Sequence, residues 1–223
     1  MKRKIFITND GSTSIHLPEI NEQYHSKHGA IQEAYHVFIK SGLDLFKDNS
    51  KINILEIGFG TGLNCFITYL ESTKRNLNIY YTGVEAYPIL KEEVPQLNYV
   101  KELNATQYQA IFSKLHQCKW ENKILISDEF ILEKQQKLFK YINDKNTYNL
   151  IYFDAFGARV QPELWTEDIF KLMYDALKDN GILVTYSAKG SVRRAMQAVG
   201  FTVERLPGPK GKREMLRAKK LIA

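Results

Sequence analysis

The chain has 223 residues, 44% of them apolar, which allows one well-buried domain with a small appended lobe but not two ordinary domains. Its net charge of +6 is unevenly placed: from Lys189 onward ten Lys/Arg face two acids, which fits a surface meeting a polyanion, RNA foremost, or a solvated basic tail. No stretch approaches a membrane span, and the opening MKRKIFITNDGS holds only the apolar run IFI, so neither a spanning helix nor a signal-peptide core is expected.

The first 50 residues precede the first good strand. TNDGSTSIHL is a turn flanked by β-type residues. In YHSKHGAIQEAYHVFIKSG, Ala30, Ala34, Val37 and Phe38 recur at helical spacing up to a stop at Gly42. Residues 1–50 are therefore expected to form a hairpin and helix laid against a main domain of residues 51–223. His25, His28 and His36 make no metal-ligand pattern and are expected to be surface or hydrogen-bonded histidines. Beyond residue 51, short β-rich runs alternate with helix-compatible segments: INILEIG (52–58), the helical GLNCFITYLEST, NIYYTGVEA (78–86), KILIS (123–127), YNLIYFD (148–154) and GILVTYS (181–187). This alternation predicts an α/β fold around a mostly parallel sheet. GFTVERL (200–206), a PGPKGK turn and REMLRAK predict an antiparallel C-terminal hairpin. Cys65 and Cys118 stand 53 positions apart without zinc-type spacing, which argues against a disulfide framework or a metal site and for a reducing cytoplasm.

Four strand ends carry chemistry. ILEIGFGTGLN sets Gly58, Gly60 and Gly62 directly after an apolar strand and before a helix, with the acid Glu56 just ahead. Glycine serves where the backbone turns tightly and approaches a ligand without a Cβ in the way, although such turns also occur merely to allow close packing. The spacing departs from the dinucleotide G-x-G-x-x-G, with Leu63 where the third glycine would stand. It resembles motif I of the class I S-adenosylmethionine-dependent methyltransferases, whose sheet is Rossmann-like. Glu85 ends the next strand, 25 residues past Gly60, where a carboxylate can accept from both hydroxyls of a ribose. Asp128 ends KILIS, a position expected to hold an adenine edge. Asp154 ends LIYF, an apolar run suited to a central strand covered on both faces, and in this class that position faces the transferable methyl group.

A closer resemblance rests on longer blocks: DGSTSIHL, YHSKHGAIQEAYHVF, LEIGFGTGLN, VEAYP, DAFGARVQPELWTEDIF and VTYSAKGSVRRAMQAVGFTVERLPGPKGKREMLRA, running from residue 10 to about 218. They are similar to the methyltransferase domain of the bacterial tRNA-modifying MnmC family, and more so to its stand-alone form, MnmD. Residues 88–147 match least. One departure stands out: relatives read D-x-F-A-P where this chain has Gly157 and Ala158, and without the proline this loop is expected to be looser.

The resemblance implies S-adenosylmethionine-dependent N-methylation of the 5-aminomethyl group of wobble (2-thio)uridine in tRNA, giving the 5-methylaminomethyl form and S-adenosylhomocysteine, with no metal and no flavin. The flavin-dependent oxidase domain of bifunctional relatives would not fit in this length, so a separate enzyme is expected to supply the amine. It further implies that Glu56, Gly58, Gly60, Gly62, Asn64, Glu85, Asp128 and Asp154 hold the cofactor beneath a cap containing Tyr24, Ser26, Gly29 and Glu33. Asp154 is the catalytic candidate, steering the amine and accepting a hydrogen bond from it. Phe156 either stacks on the base or packs under the loop, and Trp165 is expected to pack. Lys189, Arg193, Arg194, Lys210, Lys212, Arg213 and Arg217 are expected to meet phosphates of the anticodon arm, helped by a helix starting at Ser191. Two alternatives remain open: a small-molecule amine methyl- or aminopropyltransferase, and a non-catalytic RNA-binding module.

Overall fold

In the computed structural model, which describes residues 2–222, the N-terminal segment opens with an antiparallel sheet of β1 (Lys4–Ile7), β2 (Thr13–Leu17) and the short β3 (Glu22–Gln23). The turn between β1 and β2 is closed by Asp10, whose Oδ1 accepts from the Ser12 amide at 3.1 Å, while Gly11 takes φ +86°. Helix α1 (Ala30–Ala34) widens into a π-helical turn over Tyr35–Lys40, and Val37, Phe38 and Ile39 bury against the main sheet. Ser41 ends it by donating its hydroxyl to the His36 carbonyl, at 2.8 Å.

The main sheet is built from β4 (Lys51–Ile57), β5 (Asn78–Val84), β6 (Lys123–Ser127), β7 (Phe130–Gln135), β8 (Tyr148–Phe153), β9 (Leu177–Thr185), β10 (Thr202–Pro207) and β11 (Glu214–Lys219). Its helices are α2 (Leu63–Arg75), α3 (Tyr99–Glu102), α4 (Gln109–Gln117), α5 (Glu167–Ala176) and α6 (Gly190–Ala198). The spatial order is β10-β11-β9-β8-β4-β5-β7-β6. The five strands from β9 to β7 are mutually parallel, flanked by the antiparallel β6 on one edge and the C-terminal hairpin on the other. The chain runs outward from β4 through β5 to β7, then returns to lay β8 beside β4. Connections that leave in opposite directions from neighbouring strands open a crevice at their carboxyl ends, where ligands of such folds bind.

Both faces of the centre are covered. Ile52 and Ile54 pack with Phe66 and Tyr81 on the α2 side, whereas Leu55 and Ile57 pack with Phe153, Phe170 and Met173 on the α5 side. The central strands consequently carry nearly continuous apolar runs. Helix α2 stops at Asn76, which takes the left-handed conformation, and Arg75 in its last turn pairs with Asp44 and Asp48. Thr166 caps α5 by accepting from the Ile169 amide.

The region of β6 and β7 corrects the sequence-based expectation. KILIS is a strand, but it runs antiparallel to β7, and β7 supplies the parallel partner of β5 in register from Ile79↔Phe130 to Val84↔Gln135. FILEKQ alternates as a strand should, with Phe130 and Leu132 inward. The next inward residue, however, is Lys134, 1% exposed, with Nζ donating to the His116 carbonyl at 2.7 Å and lying over the Trp120 ring. A cation at a core position hides the apolar periodicity.

After β8, the Val160 amide donates to the Gly157 carbonyl at 2.8 Å, closing a turn in which Ala158 holds the second position. The loop is fastened at two further points: Trp165 Nε1 donates to the Phe156 carbonyl at 2.8 Å, and Arg159 donates to the Asn21 carbonyl at 3.3 Å. Trp165 itself is buried against Phe153 and Phe170. Proline suits the second position of such a turn. The substitution A158P is expected to stabilise the fold by ~0.4–1 kcal/mol, raising Tm by about 1–3 °C in a calorimetric melt.

Candidate active site

The carboxyl ends of β4, β5 and β8 meet at the crevice. Amides of Gly58 and Phe59 donate to the Val84 carbonyl at 2.9 and 3.1 Å, and the Asp154 amide donates to the Ile57 carbonyl at 2.9 Å. Gly58, at φ +89°, passes so close to β8 that a Cβ would lie 2.7 Å from the Asp154 carbonyl oxygen. Gly60, at φ +50°, lies under the Tyr24 ring, and its amide donates to Glu85 Oε2 at 3.1 Å. The other oxygen of Glu85 accepts from the Tyr87 amide at 2.9 Å. Glu85 is thus held by the two loops that flank it.

These ends open into a cavity of about 410 Å³. Seven of the residues expected from the sequence line it together: Tyr24, Gly58, Gly60, Asn64, Glu85, Asp154 and Phe156. Asp154 is half-buried in the wall of this cavity, and the surrounding protein strips it of much of its water. That desolvation, reinforced by the negative charge of Glu33, outweighs the Asn64 hydrogen bond and the Lys212 charge and pushes its pKa up to about 7. Asn64 Nδ2 donates to Asp154 Oδ2 at 2.9 Å, which leaves Oδ1 to the cavity. Phe156 meets Tyr24 edge to face, their centroids 5.1 Å apart. His25 also lines the wall, with Nδ1 3.1 Å from the Ser14 hydroxyl, and burial lowers its pKa to about 4, so the ring is neutral.

Other expected residues take different places. Because β6 is antiparallel, Asp128 lies in the β6–β7 turn at the opposite edge of the sheet, beside the start of β5, and cannot reach the crevice. The cavity wall beyond Glu85 is instead made by Leu138, Phe139 and Lys140, which follow β7. No sequence signal marks them, because β7 itself was hidden. Gly62 serves packing, where a Cβ would stand 3.2 Å from His116 Nε2. Glu56 is fully buried behind the wall. Gly29, at φ +145°, makes room for Asp10. Ser26 and Glu33 bind each other, amide to carboxylate, at 2.8 Å.

The basic residues also divide. Lys212 Nζ pairs with Glu33 Oε1 at 2.6 Å and lies 3.7 Å from the centroid of the Tyr186 ring, so this lysine fastens the C-terminal hairpin turn to the N-terminal segment. Arg217 pairs with Glu204 across β10 and β11. Lys189, Arg194, Lys210 and Arg213 are exposed, and Arg193 is half-buried. All five stand at the crevice edge: α6 starts just past the carboxyl end of β9, and the register Leu216↔Thr185 puts the hairpin turn there too. The helix begins at Gly190, one residue ahead of the expected start.

A glycine cradle without Cβ atoms, an acid at the end of β5 and a second acid in a desolvated wall fit an adenosyl ligand carrying a sulfonium. Residues 95–221 match the family described as S-adenosyl-L-methionine-dependent methyltransferase, and the chain belongs to that family. It is 31% identical over 212 residues to the tRNA 5-methylaminomethyl-2-thiouridine biosynthesis bifunctional protein MnmC of Leptospira borgpetersenii, covering 88% of this chain and 32% of that protein. The chain thus spans about a third of the length of the curated relatives it matches. The crystal structure of MnmC2 from Aquifex aeolicus is similar with a TM-score of 0.81 and 26% identity, covering 100% of this chain and 71% of that one. Spermidine synthase from Thermotoga maritima shares the fold, at a TM-score of 0.59 and 17% identity over 99% of this chain and 69% of that one.

The two acids expected at strand ends give a direct comparison. Calorimetric titration with S-adenosylhomocysteine is expected to show E85Q binding about 10–100-fold more weakly, the loss of a charged acceptor. D128N is expected to stay within about twofold of the unsubstituted protein, since Asp128 lies at the far edge.

Proposed function

We propose that this methyltransferase N-methylates the 5-aminomethyl group of wobble (2-thio)uridine in tRNA, producing 5-methylaminomethyl(-2-thio)uridine. The observation that carries the proposal is Asp154: a carboxylate at the carboxyl end of a central strand, one oxygen held by Asn64 and the other presented to the cavity. The printed name of the MnmC relative supplies the tRNA context. In this reading Gly58, Gly60, Tyr24, Asn64 and Glu85 hold S-adenosylmethionine. When bound, it supplies an electrophilic methyl group.

The difficulty lies in the nucleophile. An alkylamine resembling that of lysine titrates near ~10.4, so at neutral pH it enters protonated, without the lone pair that attacks. Asp154 Oδ1 takes the hydrogen bond from this ammonium and accepts its proton. An ordinary carboxylate is a poor acceptor for it, but raising Asp154 from 3.8 to about 7 eases the transfer by about 4 kcal/mol. Phe156 and Tyr24 wall the amine from water, and Phe156 offers a face for the pyrimidine. Lys189, Arg193, Arg194, Lys210 and Arg213 hold phosphates of the anticodon arm, while Lys212 keeps the cap closed. The reaction takes place in the cytoplasm.

The central test incubates the protein with S-adenosylmethionine and tRNA from a strain lacking the activity, followed by nucleoside mass spectrometry. The expected result is a gain of one CH₂ on 5-aminomethyluridine, and no gain would end the proposal. The acid's part shows in the pH profile. With Asp154, kcat/KM rises as the carboxyl deprotonates through pH about 7 and then levels off. D154N is expected to lower kcat by ~10²–10⁴ and to keep climbing toward the pKa of the amine, which must then arrive neutral. For the basic edge, R193E with R194E is expected to weaken tRNA binding and flatten its log–log salt dependence by about one to two, at roughly 0.9 per phosphate contact. An unchanged slope would remove these two residues from the interface.

A further inference from the structure

Glu56 lies in β4 between Gly83 of β5 and Tyr152 of β8, with 0% exposure. An ionised carboxylate there would have no counter-charge. The groups that face it are Asn64 and Cys65 from α2, Tyr81 and Glu85 from β5, and Tyr152 and Asp154 from β8. None is a cation, and two are acids. Burial therefore drives the Glu56 pKa well above the ordinary carboxylate range, and the neutral acid is the form that the fold holds.

The same spot contains a set of buried polar atoms without hydrogen-bond partners: both carboxyl oxygens of Glu56, Oδ1 of Asn64 and the hydroxyl of Tyr81. They are chemically complementary. A carboxylic acid carries one donor and one carbonyl acceptor, an amide oxygen only accepts, and a phenol can donate. The opposite end of the same amide is already placed, with Asn64 Nδ2 donating to Asp154 Oδ2 at 2.9 Å. The orientation of this amide matters. With nitrogen toward Asp154 it stabilises the carboxylate; turned by half a rotation it would present oxygen and favour the protonated acid.

We propose that Glu56 is a positioning residue for Asp154: carrying its proton, it donates to Asn64 Oδ1, accepts from the Tyr81 hydroxyl, and so keeps Asn64 Nδ2 directed at Asp154. Its place behind the wall suits this part rather than the cofactor contact expected from the sequence. The inference rests on the proposed function only in taking Asp154 as the group that meets the amine.

The test needs no substrate. The side-chain carboxyl of Asp154 is titrated by ¹³C NMR in the unsubstituted protein and in E56Q, E56L, N64L and the double variant E56L/N64L, and infrared spectra report protonated carboxyl groups. At neutral pH Asp154 is itself partly protonated, so the band is read in the unsubstituted-minus-E56Q difference spectrum, where the Asp154 contribution cancels and a protonated-carboxyl band of Glu56 should remain. E56Q keeps a donor and an acceptor and should leave the Asp154 titration where it was. E56L and N64L should each move it upward by about one pH unit, and the double variant should move it no further than N64L alone. N64L with E56Q carries the comparison if E56L does not fold. Absence of the band at neutral pH, an Asp154 titration displaced in E56Q, or one unchanged in N64L would overturn the proposal. If these titrations behave as expected while tRNA gains no methyl group, the functional reading fails and the positioning role stands.

Discussion

The site depends on how closely the backbone leaving β4 passes the backbone leaving β8. These strands are hydrogen-bonded neighbours whose onward connections depart in opposite directions, so their ends separate and leave a crevice. Gly58 makes the crossing possible, because any side chain there would meet the Asp154 carbonyl. One contact therefore sets two things. It aims the glycine loop at Glu85 and Tyr24, and it holds the Asp154 backbone in line with the ladder through the Ile57 carbonyl. A side chain carried at the end of a central strand is placed by the sheet and needs no loop to find it.

What the sheet does not provide is desolvation, and both chain ends contribute it. Tyr24 and His25 close the wall from the N-terminal segment, and Tyr186 donates to the Ala155 carbonyl at 2.8 Å from beyond β9. Lys212 stacks on that tyrosine and pairs with Glu33, so the hairpin turn is tied across the N-terminal helix. The pair also has an electrostatic effect on Asp154, since Glu33 raises its pKa and Lys212 lowers it. Opposite charges set side by side largely cancel at a distance, which leaves desolvation to fix the acidity of the wall.

Much of this was legible in the chain. β4, β5, β8, β9 and the C-terminal hairpin declare themselves through apolar runs and turn residues, and the glycine cluster with Glu85 and Asp154 follows from strand ends at one edge. Asp128 shows where such a reading stops: a strand ending in an acid looks the same whichever way it runs, and only the pairing of β6 with β7 reveals its direction. Lys134, Glu56 and Lys212 were obscured for a common reason. Each is a charged residue type whose surroundings come from other segments: the His116 carbonyl and the Trp120 ring around Lys134, the Asn64 and Tyr81 side chains around Glu56, and the Glu33 carboxylate beside Lys212. Local periodicity treats such residues as surface, and only the tertiary fold shows what they face.

The basic C-terminal region illustrates the same point in its charge. Counted along the chain, it looks like a single polyanion-binding tail. In the fold Lys212 is spent on Glu33, Arg217 on Glu204 and Arg205 on Glu214, while Lys220 donates to the Leu177 carbonyl and the Asn146 side chain. Lys189, Arg194, Lys210 and Arg213 have no ion pair among the described residues, and they share the edge onto which Asp154 opens. Only charges not already neutralised can displace counterions from a nucleic acid, so the electrostatic attraction of this face is set by these few residues and by Arg193. These residues lie on the same edge of the sheet as Asp154, so in the proposed reaction a polyanion held by them would sit on the side of the molecule to which the cavity opens.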